Sequence, residues 1–353
     1  MVYFQDKIYI NNFQTIKKEY FDSLQSSNIL ITGATGLVGS CIVDFLMYLN
    51  EYFKYDINIY AVTRFSSKAF ERFSSYANYC NLHIVECDLS KEIPNIDVNI
   101  DYILHAASNT HPELYAKNPV ETMCINFIGT LNILKFMQQN YRKSKMIFLS
   151  TLEVYGEMQK NKKYFCESDI GKVDFNLSRS CYPESKRTCE TLCQSFIKEY
   201  DLNITIARLG YIYGPTVDLS SSKADVQFLK CALEQKNITM KSKGIQARSY
   251  CYVVDVVSAL MFLIINGKNG EAYNIANKES NITLKDYAVA LANQADVKIE
   301  FCEPSDIEKE GYSTVQNSTL NSDKIEQLGW RPQFSLREGV GFTLAIKKNI
   351  KGN

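Results

Sequence analysis

From Asn28 onward, short apolar runs alternate with stretches of helical periodicity. The runs are 29–32 (ILIT), 57–62 (INIYAV), 82–86 (LHIVE), 101–106 (DYILHA), 145–149 (KMIFL), 203–209 (NITIARL) and, late in the chain, 272–276 (AYNIA). They are continuous rather than strictly alternating, which predicts strands buried on both faces, as in a parallel sheet covered by helices. Directly after the first run, Leu37, Val38, Cys41, Ile42, Phe45, Leu46 and Leu49 fall on one face at helical spacing. Residues 1–27 precede the alternation; Phe13, Ile16, Tyr20 and Leu24 share a helical face, predicting either a short packing helix with a role in subunit contact or a docked arm. After Gly214-Pro215 the alternation lapses, a Ser-rich stretch follows at 220–222, and 279–353 holds helical segments and short strands. The expectation is an α/β fold built on a doubly wound parallel sheet. It has an N-terminal extension (1–27), a sheet domain (28–210 plus 250–278) and a smaller C-terminal lobe (211–249 plus 279–353). Such a lobe closes over the strand ends, where ligands of open α/β sheets bind.

The junction of the first strand and first helix reads NILITGATGLVG (28–39), with glycines at 33, 36 and 39. Glycines let backbone approach a pyrophosphate, and the helix N-terminus offers free N–H groups and the positive end of a dipole. Gly33, Thr35, Gly36, Leu37, Val38 and Gly39 are therefore candidate cofactor-binding residues. NAD-binding folds commonly place an acid about 20 residues further on to hold the ribose 2′-hydroxyl. Here the second run ends Ala61-Val62-Thr63-Arg64, with no acid. Thr63 and Arg64 suit a 2′-phosphate, so the cofactor leans towards NADP; in an NAD protein Arg64 is instead a loop residue beside adenine. The third run ends in Cys87-Asp88-Leu89, where Asp88 can accept from an adenine amino group. The fourth ends in His105-Ala106-Ala107-Ser108, whose small residues let backbone pass close to a cofactor.

The catalytic candidate is Tyr182-Pro183-Glu184-Ser185-Lys186. On a helix, Tyr182 and Lys186 share a face. An ammonium and a positive nicotinamide ring lower a phenol pKa, so Tyr182 can take a proton from a sugar hydroxyl while Lys186 also holds the cofactor ribose. Tyr3/Lys7 and Tyr141/Lys145 have the same spacing, but only Tyr182 follows a predicted strand ending in Ser150-Thr151, whose hydroxyls are expected to reach the same oxygen. Pro183 is tolerable in a first helical turn.

The 39 Lys+Arg balance 39 Asp+Glu, which argues against a nucleic-acid surface or polybasic membrane patch. Eleven cysteines are scattered with no C-x-x-C pair, and His83, His105 and His111 lie far from the closest two, Cys189 and Cys193. No metal site is expected, and a reducing cytoplasm fits best. The N-terminus carries charges within its apolar stretch, unlike a signal peptide, and the longest apolar run, 256–265, is too short to span a bilayer.

As a set, GATGLVG, HAAS, Asn126-x-x-Gly129-Thr130, STLEVYG (150–156), YPESK and LGWRP (328–332) resemble the extended short-chain dehydrogenases, the NAD(P)-dependent epimerase/dehydratase family acting on nucleotide sugars. The resemblance runs from Asn28 to the C-terminus. It implies a Rossmann sheet of about seven parallel strands with a nucleotide-sugar lobe. It also implies a tightly bound, recycled NAD or NADP that oxidises the sugar at C4. Asn126 and Lys186 join the cofactor residues, while Ser108, Thr151, Tyr211 and Arg248 face the substrate. Such proteins often form homodimers through a four-helix contact, here helices near 113–140 and 182–200.

The residues after Thr151 bear on the net reaction. Sugar 4,6-dehydratases often read Thr-Asp-Glu, the Glu taking the C5 proton and the Asp protonating the leaving hydroxyl; here Thr151 and Glu153 match but Leu152 does not. UDP-glucuronate decarboxylases share Gly171-x-Val173, Arg179-x-Cys181-Tyr182-x-Glu184-x-Lys186-Arg187 and an arginine matching Arg248. Loss of carbon dioxide needs no protonated leaving group, so Leu152 harms it less. Two departures stand against this subgroup: the missing acid after the second strand, and Gly210 where an Asn is common. A 4-epimerase tolerates Leu152 but leaves Glu153 without a task. The expected order is decarboxylase, dehydratase, epimerase, with an NAD(P)-binding regulator as the non-enzyme alternative.

Overall fold

The computed structural model describes residues 3–92, 96–110, 112–159, 161–303 and 317–351; His111 lies outside them. Strands β1 (Asn28–Thr32), β2 (Asn58–Thr63), β3 (Leu82–Glu86), β4 (Tyr102–His105), β5 (Lys145–Thr151) and β6 (Asn203–Leu209) follow the predicted runs. Next come β7 (Tyr211–Tyr213), β8 (Ile238–Met240), β9 (Ala247–Tyr252), β10 (Ala272–Ile275), β11 (Asn281–Thr283), β12 (Ile299–Phe301) and β13 (Asn317–Ser318). The helices are α1 (Lys7–Phe13), α2 (Leu37–Phe53), α3 (Ser66–Arg72), α4 (Pro112–Lys117), α5 (Pro119–Asn140), α6 (Cys181–Tyr200), α7 (Ala224–Leu233), α8 (Val253–Asn266) and α9 (Leu284–Ala295), before a short helix at Asp323–Leu328 and a C-terminal helix at Leu336–Lys351.

The main sheet has seven strands in the order β10-β6-β5-β4-β1-β2-β3, all parallel. Its pleat sends successive residues of β1 to opposite faces. Ile29 and Ile31 enter one apolar cluster with Ile42 and Phe45 of α2 and Val257 and Leu260 of α8. Leu30 enters a second, with Ile133 and Met137 of α5 and Cys189 and Cys193 of α6. Both faces are thus dry, which is why the strands read as unbroken apolar runs. The 256–265 run is the buried part of α8, and among the described residues no helix is long and apolar enough to cross a membrane.

The N-terminal extension departs from the single helical face expected of it. Asp6 caps α1 by accepting from Tyr9 N at 2.9 Å, but the helix ends at Phe13, and 3-10 turns at Lys18–Tyr20 and Asp22–Leu24 present the later residues. Phe21 at φ −143° cannot continue a helix. Phe13, Ile16, Tyr20 and Leu24 are nonetheless buried, because the segment wraps α2, α8 and the C-terminal helix. Tyr9 Oη donates to buried Asp44 at 2.9 Å, Asn12 Nδ2 to Tyr252 Oη at 2.9 Å, and Asn349 Nδ2 to Asp6 at 2.7 Å.

The remaining strands build two small sheets beside the strand ends. β9 pairs with β7, β11 and β13, and β8 pairs with β12. The boundary expected at 250 therefore falls inside β9, whose partners lie in the smaller sheet.

Candidate active site

A cavity of about 1310 Å³ runs along the C-terminal ends of the main strands and under the smaller sheets. At one end lies the glycine turn. Gly33 has φ +64°, and a β-carbon there would sit 2.8 Å from Ala106 O; one on Gly39 would overlap the Gly33 carbonyl. No side chain caps α2 at Gly36, so its first amides face the cavity. A backbone cradle at a 17-residue helix N-terminus fits the pyrophosphate of a dinucleotide. Gly33, Thr35, Gly36, Leu37, Val38 and Gly39 line it, as do Thr63, Arg64, Asp88, Leu89, Ala106, Ala107 and Ser108. Arg64 pairs with Glu121 at 3.1 Å. Asp88 accepts from Ser90 N at 3.1 Å and Ser90 Oγ at 2.7 Å.

Asn126, expected at the cofactor, is not among the cavity-lining residues. It is 1% exposed and lies behind the wall, where Ser108 Oγ donates to its Oδ1 at 2.7 Å and its Nδ2 donates to Ser185 Oγ at 2.8 Å. It braces Ser108 against α6. Gly129 faces Leu89 and Thr130 reaches His105, so the three motif residues pack α5 on the sheet and on α6.

Around the middle of the cavity, β5 delivers Thr151 and α6 delivers Tyr182 and Lys186. Cys181 opens α6, so Pro183 sits in the first turn, where no N–H partner is lost. The Tyr182 ring stacks on Tyr115 with centroids 4.8 Å apart. Burial pushes its phenol well above the usual value and the Glu153 charge adds to this, while the Thr151 hydroxyl, the Arg179 charge and the Ser108 hydroxyl pull it back. Lys186 Nζ donates to Leu149 O at 2.9 Å and lies 4.8 Å from the Phe148 ring centroid. Burial lowers its pKa, opposed by the Cys189 and Cys193 thiols and Glu190. Beneath it, burial and the Lys186 charge drop His105 to about 3, so this histidine is neutral. Its Nδ1 lies 2.7 Å from Thr32 Oγ1 and its Nε2 3.0 Å from Thr130 Oγ1. The expectation for Ser150 fails: its hydroxyl donates to Glu190 at 2.5 Å rather than pointing at a ligand oxygen.

On the far side Glu153 is paired with Arg179 at 3.1 Å. The Arg179 guanidinium also lies 4.8 Å from the Tyr115 ring centroid, giving a tier of Arg179, Tyr115 and Tyr182. Tyr211 and Arg248 line the same region, with the guanidinium carbon 5.3 Å from the Tyr211 centroid. Leu152 is 4% exposed and packs with Val154, Tyr155, Phe165, Ala276 and Leu320. At Gly210 a β-carbon would stand 2.6 Å from Ser249 O, so the chain has no room there for asparagine. Sequence reasoning missed Tyr115, Lys68 and the part of Arg179. Tyr115 has no motif, since only the fold stacks it on Tyr182. Lys68 carried a usable signal, four residues after Arg64 with no acid between them. Among the described residues no three His, Cys, Asp or Glu side chains gather to hold a metal.

A parallel doubly wound sheet, a glycine cradle at the first helix and a Tyr–Lys pair beside a strand-end Thr define a dinucleotide-dependent protein of the short-chain dehydrogenase type. The model of the NAD-dependent epimerase/dehydratase family matches residues 29–276, and the chain belongs to that family of enzymes. UDP-glucuronic acid decarboxylase 6 of Arabidopsis thaliana is 30% identical over 324 residues, covering 91% of this chain and 88% of the relative. UDP-glucose 4-epimerase of Thermotoga maritima, solved with UDP-glucose, superposes with a TM-score of 0.75 at 25% identity, covering 92% of this chain and 99% of that one. UDP-glucuronic acid 4-epimerase of Bacillus cereus, solved with UDP-glucuronic acid and NAD, gives 0.75 at 21% identity over 92% and 99% of the two chains, a likeness of fold.

Proposed function

We propose that this enzyme decarboxylates a nucleotide-linked uronic acid, with UDP-glucuronate the best candidate, after oxidation at C4. The observation that carries this reading is the pairing of Leu152 and Arg179 around Glu153. Leu152, the residue after Thr151, lines the cavity and packs on an apolar cluster, so that position offers no acid to protonate a leaving hydroxyl. Arg179 offers a cavity-wall guanidinium, whose planar fork suits a carboxylate. The 30% identity with a UDP-glucuronic acid decarboxylase supports the same choice.

A nicotinamide dinucleotide held by the glycine cradle and Lys186 would supply a hydride acceptor, and later donor, for the sugar C4. Tyr182, as a phenolate stabilised by the Lys186 ammonium, takes the C4 hydroxyl proton and becomes the phenol, and Lys186 also holds the cofactor ribose. Thr151 donates to the C4 oxygen. With a ketone at C4, the C5–carboxylate bond breaks, carbon dioxide leaves, and its electron pair passes to the C4 oxygen as an enolate. A proton from water at C5 restores the ketone, and Tyr182 then returns its own proton to the C4 oxygen. Arg179 and Arg248 hold the anionic parts of the substrate, and Glu153 keeps Arg179 oriented. Arg64 and Lys68 favour NADP. Arg64 is paired only at the surface, and exchanging Glu121 for a 2′-phosphate costs little, since exposed pairs contribute about 0–1 kcal/mol.

The enzyme is further proposed to dimerise through α5 and α6, where Val120, Met123 and Phe127 leave apolar surface exposed along one side of α5. All eleven cysteines are free, which supports a reducing compartment such as the cytoplasm. The test of the reaction is incubation with UDP-, dTDP-, GDP- and CDP-sugars read by mass spectrometry. Loss of roughly 44 mass units from a uronate is expected. Loss of roughly 18, or an unchanged mass with a new sugar spectrum, would replace decarboxylation by dehydration or epimerisation.

A further inference from the structure

The proposed chemistry leaves a buried ionic network beside the reacting residues without a task. It lies directly behind Thr151 and Lys186. Glu190 sits on α6 two turns beyond Tyr182 and one beyond Lys186, so the three share a face. It is 8% exposed. Arg208 of β6 reaches it with Nε at 3.0 and 3.2 Å and Nη2 at 2.7 Å. Ser150 is the register partner of Arg208 across β5 and β6, and its hydroxyl closes on the same carboxylate at 2.5 Å. Arg208 Nη1 goes on to Tyr155 Oη and Glu167 O, each at 2.9 Å. Tyr155 ends the 3-10 turn that carries Glu153, and its hydroxyl donates to Asn274 of β10 at 2.6 Å.

This places two grips between α6 and the end of β5. Lys186 holds the carbonyl of Leu149, and Glu190 holds the hydroxyl of Ser150. The next residue of the strand is Thr151. We propose that Glu190 is a positioning residue for the reaction, fixing through Ser150 and Arg208 how Tyr182 stands against Thr151 and Glu153. Slippage of α6 along β5 would have to break both grips, and a helix held at Lys186 alone can pivot about that point. The inference rests on Tyr182, Lys186 and Thr151 being the reacting set.

Glu190 also acts on Lys186 by charge. The groups facing the Lys186 ammonium are Cys189, Cys193 and Glu190 of its own helix and His105 of β4. Of these, Glu190 is the carboxylate, and the arginine opposite it is Arg208. Replacing Glu190 by Gln keeps an acceptor for Ser150 but removes the charge, so Lys186 loses its proton at lower pH.

The experiment compares Glu190→Gln, Ser150→Ala and Tyr182→Phe in the full chain. The readouts are kcat, KM, the pH profile of kcat, the Kd for dinucleotide by calorimetry, and thermal melting. For Glu190→Gln we expect kcat to fall roughly 10- to 100-fold, the scale of a misplacement near 1 Å. KM and dinucleotide Kd should stay within about twofold, and the alkaline limb of the kcat profile should move to lower pH. Ser150→Ala leaves the ion pair whole, so kcat should fall about 3- to 10-fold with the limb and the melting point in place. A lower melting point with the limb unmoved would make Glu190 a stability residue only and overturn the proposal. So would an unchanged kcat in both variants. If Glu190→Gln does not fold, Ser150→Ala decides: a lower kcat at an unchanged melting point supports the positioning role, and an unchanged kcat overturns it. Full activity in Tyr182→Phe would instead refute the assignment of the reacting set, an outcome distinct from failure of the positioning role.

Discussion

Replacing Asp44 by Ala should destabilise the enzyme by about 4–6 kcal/mol, an unusually large effect for a residue far from the chemistry. Asp44 lies on α2 with no exposure. Its carboxylate accepts from Tyr9 Oη at 2.9 Å, Tyr76 Oη at 2.9 Å and Arg72 Nη1 at 3.3 Å, and Arg72 Nη2 makes a closer contact. Arg72 is itself largely buried, and its guanidinium carbon lies 4.2 Å from the Tyr3 ring centroid. Removing one partner of a buried pair leaves the other charge without compensation, at about 3–5 kcal/mol. The two tyrosine hydroxyls add roughly 1 kcal/mol each at most, and less together because they share one acceptor. Urea titration followed by tryptophan fluorescence and circular dichroism reads the loss as a lower midpoint at unchanged slope. Trp330, the single tryptophan, is fully buried and reports on the fold. Tyr9→Phe removes one donor only and should cost about 1 kcal/mol. A loss below about 2 kcal/mol for Asp44→Ala, or equal losses for both variants, would show that the ion pair does not set the cost.

Other consequences can be checked separately. Asp255 is buried and accepts from Gln333 N at 2.7 Å and Phe334 N at 3.2 Å; burial lifts its carboxyl to about 7, with those two bonds opposing. A folded pKa above the unfolded one means its contribution is fully present below about pH 4 and lost as pH rises through about 7. Asp255→Asn should therefore flatten the fall in stability across that window, measured by melting temperature against pH. Gly39→Ala should abolish dinucleotide binding in calorimetry while the chain stays folded, because its β-carbon meets the Gly33 carbonyl. Arg64→Ala with Lys68→Ala should weaken NADP at least about tenfold and leave NAD nearly unchanged; equal losses for both would remove the 2′-phosphate assignment.

The sheet was legible because its strands, apart from half-buried β3 at the edge, are buried on both faces and announce themselves locally. The glycine turn and the Tyr182–Lys186 pair were legible for a similar reason, since one turn or one helix fixes their spacing. What escaped was long-range. Nothing near Ser150 in sequence reveals that its hydroxyl belongs to Glu190, forty residues later, or that Arg208 locks the pair from a neighbouring strand. Asn126 matched a motif yet lies behind the cavity wall, because its spacing records helix packing as well as ligand contact. The extension misled in another way. Phe13, Ile16, Tyr20 and Leu24 have helical spacing and are all buried, but 3-10 turns present the last of them to the same core.

Leu152 bears on how such an enzyme can change over evolutionary time. Its side chain serves both as the missing acid of one reaction and as part of the cluster formed by Phe165, Ala276 and Leu320. A single substitution to aspartate would set a carboxyl at the cavity edge but give up the apolar contacts Leu152 makes with that cluster, at a cost of about 1.5–3 kcal/mol. A lineage exchanging Leu152 for an acid would recover that loss by repacking the cluster behind the turn, at 165, 276 or 320. A change of chemistry at this position is thereby coupled to the packing of the core behind it.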